Sequence, residues 1–194
     1  MDSRPAILDF YHYFERSRGP FLSLSELTDT EAEAVLCSLR HDNHLMASFR
    51  GSQYVARRRE LEGIARDIFQ SKGGVPDTAT PAYMVVGPCP WLETWYVDAV
   101  SLSIPESAFD PLKVSFSYGD LFPTFGSVSG DGKEYRRQVY TLPEIVDVIE
   151  RYGYPQDWNP EGAGGPERYI EIQVWQRGPI QDAVEAWASR PPDD

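Results

Sequence analysis

Cysteine and long apolar runs are both scarce in this sequence. Cys37 and Cys89 are the two cysteines among 194 residues, and they lie in unrelated surroundings without CxxC spacing. This excludes a disulfide framework or a zinc knuckle and favours a reducing compartment. No stretch approaches the ~20 apolar residues that a membrane-spanning helix needs. We therefore expect a soluble, cytoplasmic protein with no membrane partner.

Positive charge is also in short supply. The chain has 18 lysines and arginines against 30 aspartates and glutamates, which gives a net charge of -12 and a pI near 4.7. A field of this sign repels phosphate backbones, so general nucleic-acid binding is not expected. The basic run at residues 57 to 59, with Arg50 and Arg66, forms a local basic patch or, more typically, a solvated helix face.

The short motifs of several large enzyme classes are missing. The sequence has no GxxxxGK[ST] phosphate loop, no GxSxG elbow, no HExxH zinc motif and no GxGxxG fingerprint. His41 and His44 are three residues apart, a spacing that suggests metal ligation, but further ligands are not nearby. We expect a loop pair at these positions and no metal site.

The remaining patterns predict helices and strands. Residues 28 to 31 and 141 to 144 are capping boxes, which open helices that run to about residue 40 and to Gly153. Further helices are predicted at about residues 52 to 71, 90 to 96 and 180 to 188. Strands are predicted at residues 7 to 14, 83 to 86, 99 to 104, 114 to 118, 137 to 140 and 169 to 175.

These elements predict one α+β domain over residues 1 to 194, with residues 190 to 194 as a flexible tail. Hydrophobic residues make up 41% of the chain, which is enough for a packed core. We expect the helices mainly in the N-terminal half. A mostly antiparallel, twisted sheet is expected in the C-terminal half.

The last predicted strand has two unlike faces. A period of two separates an aliphatic set from a set with a carboxylate, an amide and two aromatic rings: Ile170, Ile172 and Val174 against Tyr169, Glu171, Gln173 and Trp175. A carboxylate that lines a cleft there can act as a general base, orient a sugar hydroxyl or stabilise a developing cation. A sheet with one solvated face is the alternative interpretation.

Two other segments have chemistry of interest. Residues 114 to 125 run from an aromatic strand into a Gly119-Asp120 turn, which suits a pocket rim or an ordinary tight connection. In residues 10 to 14, His12 alternates with aromatic residues. It is either a hydrogen-bond donor to a ligand or a structural histidine.

In chain order, these three segments resemble the landmarks of ADP-ribosyltransferases, and the nearest variant is the DNA-targeting toxin type. That family has an early histidine or tyrosine strand, a middle aromatic-Gly-Asp/Asn turn and a late strand with the catalytic glutamate. The resemblance implies a domain that binds NAD or a related nucleotide, as substrate, in a cleft near Glu171. It implies Glu171 as the catalytic residue, and His12, Tyr118 and Gln173 as residues that bind the nucleotide.

The sequence departs from this family at one essential position. The toxins have an arginine near the segment that corresponds to residues 83 to 90, where this chain has none. Arg16, Arg18 or Arg50 would have to take its place. As a whole, the chain also looks like a bacterial protein family from which no function carries over.

Two other functions stay open at this point. The first is a non-catalytic acidic module, such as an immunity or regulatory protein, that binds a basic protein partner through its net charge of -12. The second is a hydrolase that uses Glu171 and Asp120 as paired carboxylates, which requires a separation of roughly 5 to 10 Å.

Overall fold

The computed structural model describes residues 8 to 41, 51 and 53 to 190. Within these ranges, a five-stranded sheet organises a single α+β domain. The strands are β1 (Asp9–Glu15), β2 (Ala82–Val86), β3 (Ala99–Pro105), β4 (Val114–Tyr118) and β5 (Ile170–Val174). They lie in the order β3-β1-β2-β5-β4, and all four strand pairings are antiparallel.

Six α-helices accompany the sheet in the described part of the chain. They are α1 (Asp29–His41), α2 (Tyr54–Ser71), α3 (Leu121–Phe125), α4 (Leu142–Tyr152), α5 (Pro155–Trp158) and α6 (Gly178–Ala188). The prediction that helices lie mainly in the N-terminal half is wrong, since α3 to α6 all follow residue 120. The sheet takes β1 and β2 from the first half of the chain and β5 from near its end, so helices and strands must interleave.

Both capping boxes are present in the structure. The backbone N–H of Thr28 donates to Glu31 over 2.9 Å, and that of Thr141 donates to Glu144 over 2.8 Å. Each carboxylate thus satisfies a backbone donor at the start of α1 or α4, as the local sequence predicts.

One predicted strand is wrong, and one short helix was not predicted. Residues 137 to 140 form no strand, because Arg137 adopts a left-handed conformation with φ of 57° and Tyr140 alone makes a bridge, to Phe116. The chain turns at Gly119 after β4 and enters the short helix α3, which the sequence patterns did not predict. Asp120 caps α3, and Pro123 is tolerated because it lies in the first turn, where backbone N–H groups have no helical partner.

The two faces of the sheet have different coverings. One face packs an aliphatic and aromatic core against α4 and α6, including Phe10, Met84, Phe116, Ile170, Ile172, Val174, Ile145 and Ile180. On the opposite face, α2 packs Leu61, Ala65 and Phe69 against Trp175. A 3-10 turn, Pro90–Trp95, places Leu92 against Tyr13 and Val85. The sheet between α2 and this turn forms the floor of a cleft.

The sequence predicted no membrane-spanning helix and a flexible tail at residues 190 to 194. No helix in the described ranges is long and apolar enough to cross a membrane. The tail predicted for residues 190 to 194 lies outside the described residues, apart from Arg190, and so does His44.

Replacement of Ile172 by alanine tests the assigned core. The side chain is fully buried on the interior strand β5, between Met84 and Phe116, so we expect the free energy of unfolding to fall by about 2 to 5 kcal/mol in urea denaturation. Val97→Ala is the control, because Val97 is 78% exposed and its loss is expected to change stability by less than about 0.5 kcal/mol. Equal losses for the two variants would contradict this core.

Candidate functional site

A cleft of about 760 Å³ lies over the sheet, between α2 and the Pro90–Trp95 turn. This volume is typical of sites for small molecules. Its lining combines aromatic rings with charges of both signs. The rings are Tyr11, Tyr13, Tyr54, Tyr83, Trp95, Tyr96, Phe122 and Tyr169, and the charged residues are Arg57, Arg58, Arg168, Asp120 and Glu171.

Glu171 lies on the floor of this cleft. The register of β5 places it opposite Val85 on one side and Ser117 on the other, and its exposed fraction is 9%. Its Oε1 atom accepts hydrogen bonds from the backbone N–H of Leu121 at 3.3 Å and from Gln173 Nε2 at 3.1 Å. Burial, together with the negative charge of Asp120, holds the pKa of Glu171 well above its ordinary value.

Asp120 is the second carboxylate of the cleft. It follows Gly119, whose φ of 93° lets the chain turn sharply out of β4, and its Oδ1 accepts the N–H of Phe122 at 2.9 Å. Burial raises the pKa of Asp120 to about 6, against the opposing effects of that hydrogen bond and of the Arg168 charge. The negative charge of Asp120 raises the pKa of Glu171, so the protonation of Glu171 depends on the charge of its neighbour.

Gln173 supports Glu171 from behind the cleft. The side chain is fully buried, and its Nε2 donates to Ser117 Oγ as well as to Glu171. Its Oε1 accepts from Ser115 Oγ at 2.9 Å, and that hydroxyl in turn accepts from the indole of Trp175. The structure thus places Gln173, expected to bind nucleotide, outside the cleft lining, where it orients the carboxylate.

His12 borders the cleft floor, but its side chain lies on the other face of the sheet. Its neighbour Tyr11 pairs with Val85 and shares the Glu171 face, so alternation turns His12 away. His12 Nε2 accepts the N–H of Phe21 at 2.9 Å, and its Nδ1 donates to the carbonyl of Tyr83 at 2.9 Å. Burial lowers the pKa of His12 to about 4. It is a neutral, fully engaged histidine.

Tyr118 also lies on the face opposite Glu171. It pairs with Ile170, and its hydroxyl lies 2.9 Å from the carbonyl oxygen of Gly153 and 3.2 Å from that of Tyr152. The ring packs beside Tyr135 and Tyr152. Of the four residues that the sequence assigned to the site, the structure therefore brings Glu171 and Gln173 together, but neither His12 nor Tyr118.

An ion pair on α2 was missed by the sequence analysis, which placed the α2 arginines outward. The Arg58 side chain is 16% exposed, and its Nε donates to Glu62 Oε1 at 2.9 Å. The Tyr83 hydroxyl donates to the same oxygen, and the guanidinium lies 4.5 Å from the centre of the Tyr83 ring. The sequence contains a signal for this: Tyr54 and Leu61 lie four residues before and three residues after Arg58, so the three side chains share one face of the helix.

The other arginines of the predicted basic run have partners as well. Arg57 pairs with Glu60 and donates to the carbonyl of Phe125, while Arg59 pairs with Asp29. Arg66 donates to the carbonyl of Thr78. Arg16 pairs with Asp98, and neither Arg16 nor Arg18 lines the cleft, while Arg50 lies outside the described residues.

No protein-family model, curated protein or solved structure matches this chain. The resemblance to ADP-ribosyltransferases therefore stays a prediction. The case for a function depends on the cleft itself, in which a buried acid pair, arginines and many aromatic rings meet.

Glu171→Gln tests the buried acid through the pH dependence of stability. The folded pKa lies well above the ordinary value of 4.5, so the native state holds the proton more tightly than the unfolded chain. This contribution to stability is present at low pH and is lost as the pH rises toward the folded pKa. We expect the stability of the variant relative to the wild type to increase from about pH 4 upward and then level off.

Urea denaturation at a series of pH values measures this difference. Glu161→Gln is the control for loss of one carboxylate, since Glu161 is exposed. A difference between Glu171→Gln and wild type that is constant from acid to neutral pH would contradict a raised pKa for Glu171.

Proposed function

We propose that this cleft binds NAD or a related nucleotide, and that the domain is an ADP-ribosyltransferase-like enzyme with Glu171 as its catalytic residue. One observation carries the proposal: a buried carboxylate lies on the floor of a cleft that also presents arginines and aromatic rings. These are three kinds of group that a nucleotide requires.

Each kind of group matches one part of a dinucleotide. Flat aromatic side chains stack on a base or a nicotinamide ring, and the cleft has them on the sheet, on α2 and on the Pro90–Trp95 turn. Guanidinium groups bind phosphate oxygens. Carboxylates accept hydrogen bonds from ribose hydroxyls.

The chemistry of ADP-ribosyl transfer fits the environment of Glu171. The bond between the ribose and the nicotinamide nitrogen breaks, and its electron pair returns to the ring and neutralises the positive charge. A nucleophilic atom of the acceptor bonds to the same ribose carbon and loses its proton, which the Glu171 carboxylate takes. The carboxylate also stabilises the positive charge that develops on the sugar.

A base must be ionised, and a bound substrate favours this. The positive nicotinamide ring next to Glu171 opposes the effects of burial and of Asp120, so it lowers the pKa of the carboxyl group. Leu121 and Gln173 fix Oε1, and within the described residues no hydrogen bond reaches Oε2. Oε2 is thus the oxygen that serves the substrate.

Calorimetry with NAD, followed by turnover assays, tests the proposal. We expect wild type and Glu171→Gln to bind NAD with affinities within a few-fold of each other, since glutamine keeps the contacts to Leu121 and Gln173. Release of nicotinamide should fall by roughly 10²- to 10⁴-fold in the variant. Glu161→Gln, an exposed control, should retain the wild-type rate.

No heat of binding at millimolar NAD would overturn the proposal. The net charge of -12 would then favour the acidic interaction module. Capture of a basic protein that weakens as the salt concentration rises is the result expected of such a module.

A further inference from the structure

Arg168 enters the cleft from the loop before β5, three residues ahead of Glu171. Its side chain is half-buried and lines the cleft. The guanidinium carbon lies 4.6 Å from the centre of the Trp91 ring, and Nε donates to the carbonyl of Gly162 at 3.0 Å. The planar group is thus supported on one face and anchored at one nitrogen.

Gly162 makes this support rigid. Its φ is 66°, and a Cβ atom at this position would lie 2.5 Å from Trp91 Nε1. The loop backbone therefore lies directly against the indole that carries the guanidinium. Arg168, Trp91 and Gly162 form one packed unit, which we call the Arg168 clamp.

Arg168 differs from the other two arginines of the cleft in its partners. Arg57 pairs with Glu60, and Arg58 pairs with Glu62. Across the described ranges, no carboxylate oxygen lies within 4.0 Å of the Arg168 guanidinium, and no hydrogen bond from its two terminal nitrogens is found. Those nitrogens carry four N–H donors in a fixed plane.

We infer that Arg168 is the anion-binding residue of the cleft, and that it takes the phosphate or pyrophosphate group of a nucleotide as a two-pronged donor. Guanidinium groups held in this way match the geometry of two phosphate oxygens. The nucleotide identity rests on the proposed function, whereas the phosphate contact does not require turnover. This assigns the role sought in Arg16, Arg18 or Arg50 to the loop before β5.

The clamp also predicts which way the ligand lies. Asp120, whose pKa is about 6, is mainly ionised at neutral pH and repels phosphate oxygens from its part of the cleft, and the positive charge of Arg168 acts on Asp120 across the site. A ligand with an anionic part and a cationic ring therefore places its phosphates at Arg168 and its ring toward the carboxylates. This orientation brings the sugar between them to Glu171.

Calorimetry with three probes tests the inference on the full chain. ADP and inorganic pyrophosphate carry the anion, while nicotinamide riboside carries the cationic ring and the sugar without phosphate. We expect Arg168→Gln to weaken ADP and pyrophosphate binding by roughly 10- to 100-fold and to leave nicotinamide riboside within about 2-fold. Arg168→Lys should bind ADP more tightly than Arg168→Gln but less tightly than wild type, because lysine keeps the positive charge but lacks the planar set of N–H donors.

Two further variants separate loss of the Arg168 contact from the general effect of removing a positive charge. Arg66→Gln removes an arginine of α2 that does not line the cleft, and it should leave ADP binding unchanged. Gly162→Ala keeps Arg168 but displaces its support, so ADP binding should weaken several-fold. Circular dichroism confirms that each variant is folded, and Arg168→Lys provides the test if Arg168→Gln does not fold.

Equal ADP affinity in wild type and Arg168→Gln would overturn the inference and leave the nucleotide proposal intact. Failure of wild type to bind ADP or pyrophosphate at millimolar concentration would overturn it as well. Binding of ADP that depends on Arg168, without any binding of NAD, would support the clamp and overturn the proposed function.

Discussion

The cleft depends on the carboxyl group of Glu171, which is buried on the sheet and has no ion-pair partner among the described residues. Transfer of a carboxylate from water to such a position costs a large free energy, which the group avoids by holding its proton or by gaining hydrogen bonds. Glu171 does both, since its pKa is raised and its Oε1 accepts two hydrogen bonds. Polar residues of β4 and β5 lie behind Glu171, and their hydrogen bonds hold its carboxyl group in place.

Strands β4 and β5 contain buried polar residues, although buried strands are usually apolar. Ser115, Ser117 and Gln173 are fully buried, and each makes at least one hydrogen bond with another member of the group or with Glu171 or Trp175. A buried polar group is tolerated when it forms hydrogen bonds with neighbouring groups. The network therefore fixes the position of Oε1 of Glu171, while no hydrogen bond to Oε2 is found among the described residues.

Local sequence signals predicted much of the fold. The capping boxes and the period of two in β5 act over a few residues, so they could be read without knowledge of the rest of the chain. The face occupied by His12 could not, because it depends on the register of β1 against β2 and of β2 against β5. A shift of one residue would have placed His12 on the Glu171 face.

The candidate site shows the same division between local and long-range information. Glu171 and Asp120 stood out because each lies in a recognisable local pattern, and both line the cleft. Arg168 gave no such signal, since its support comes from Trp91, which is distant in sequence. Tyr118 was expected near the ligand for its aromatic ring, but the alternation of β4 places that ring on the core face.

The charge of the whole protein and the charge of the cleft act over different distances. A net charge of -12 repels an anionic ligand at long range, although salt screens this beyond about 10 Å. The phosphate binding that we propose must therefore arise from short-range contacts inside the cleft. Arg57 and Arg58 are already neutralised by Glu60 and Glu62, so a guanidinium without such a partner contributes most of the remaining attraction. The net charge of the chain therefore argues against general nucleic-acid binding, but it does not decide whether a small anion binds at Arg168.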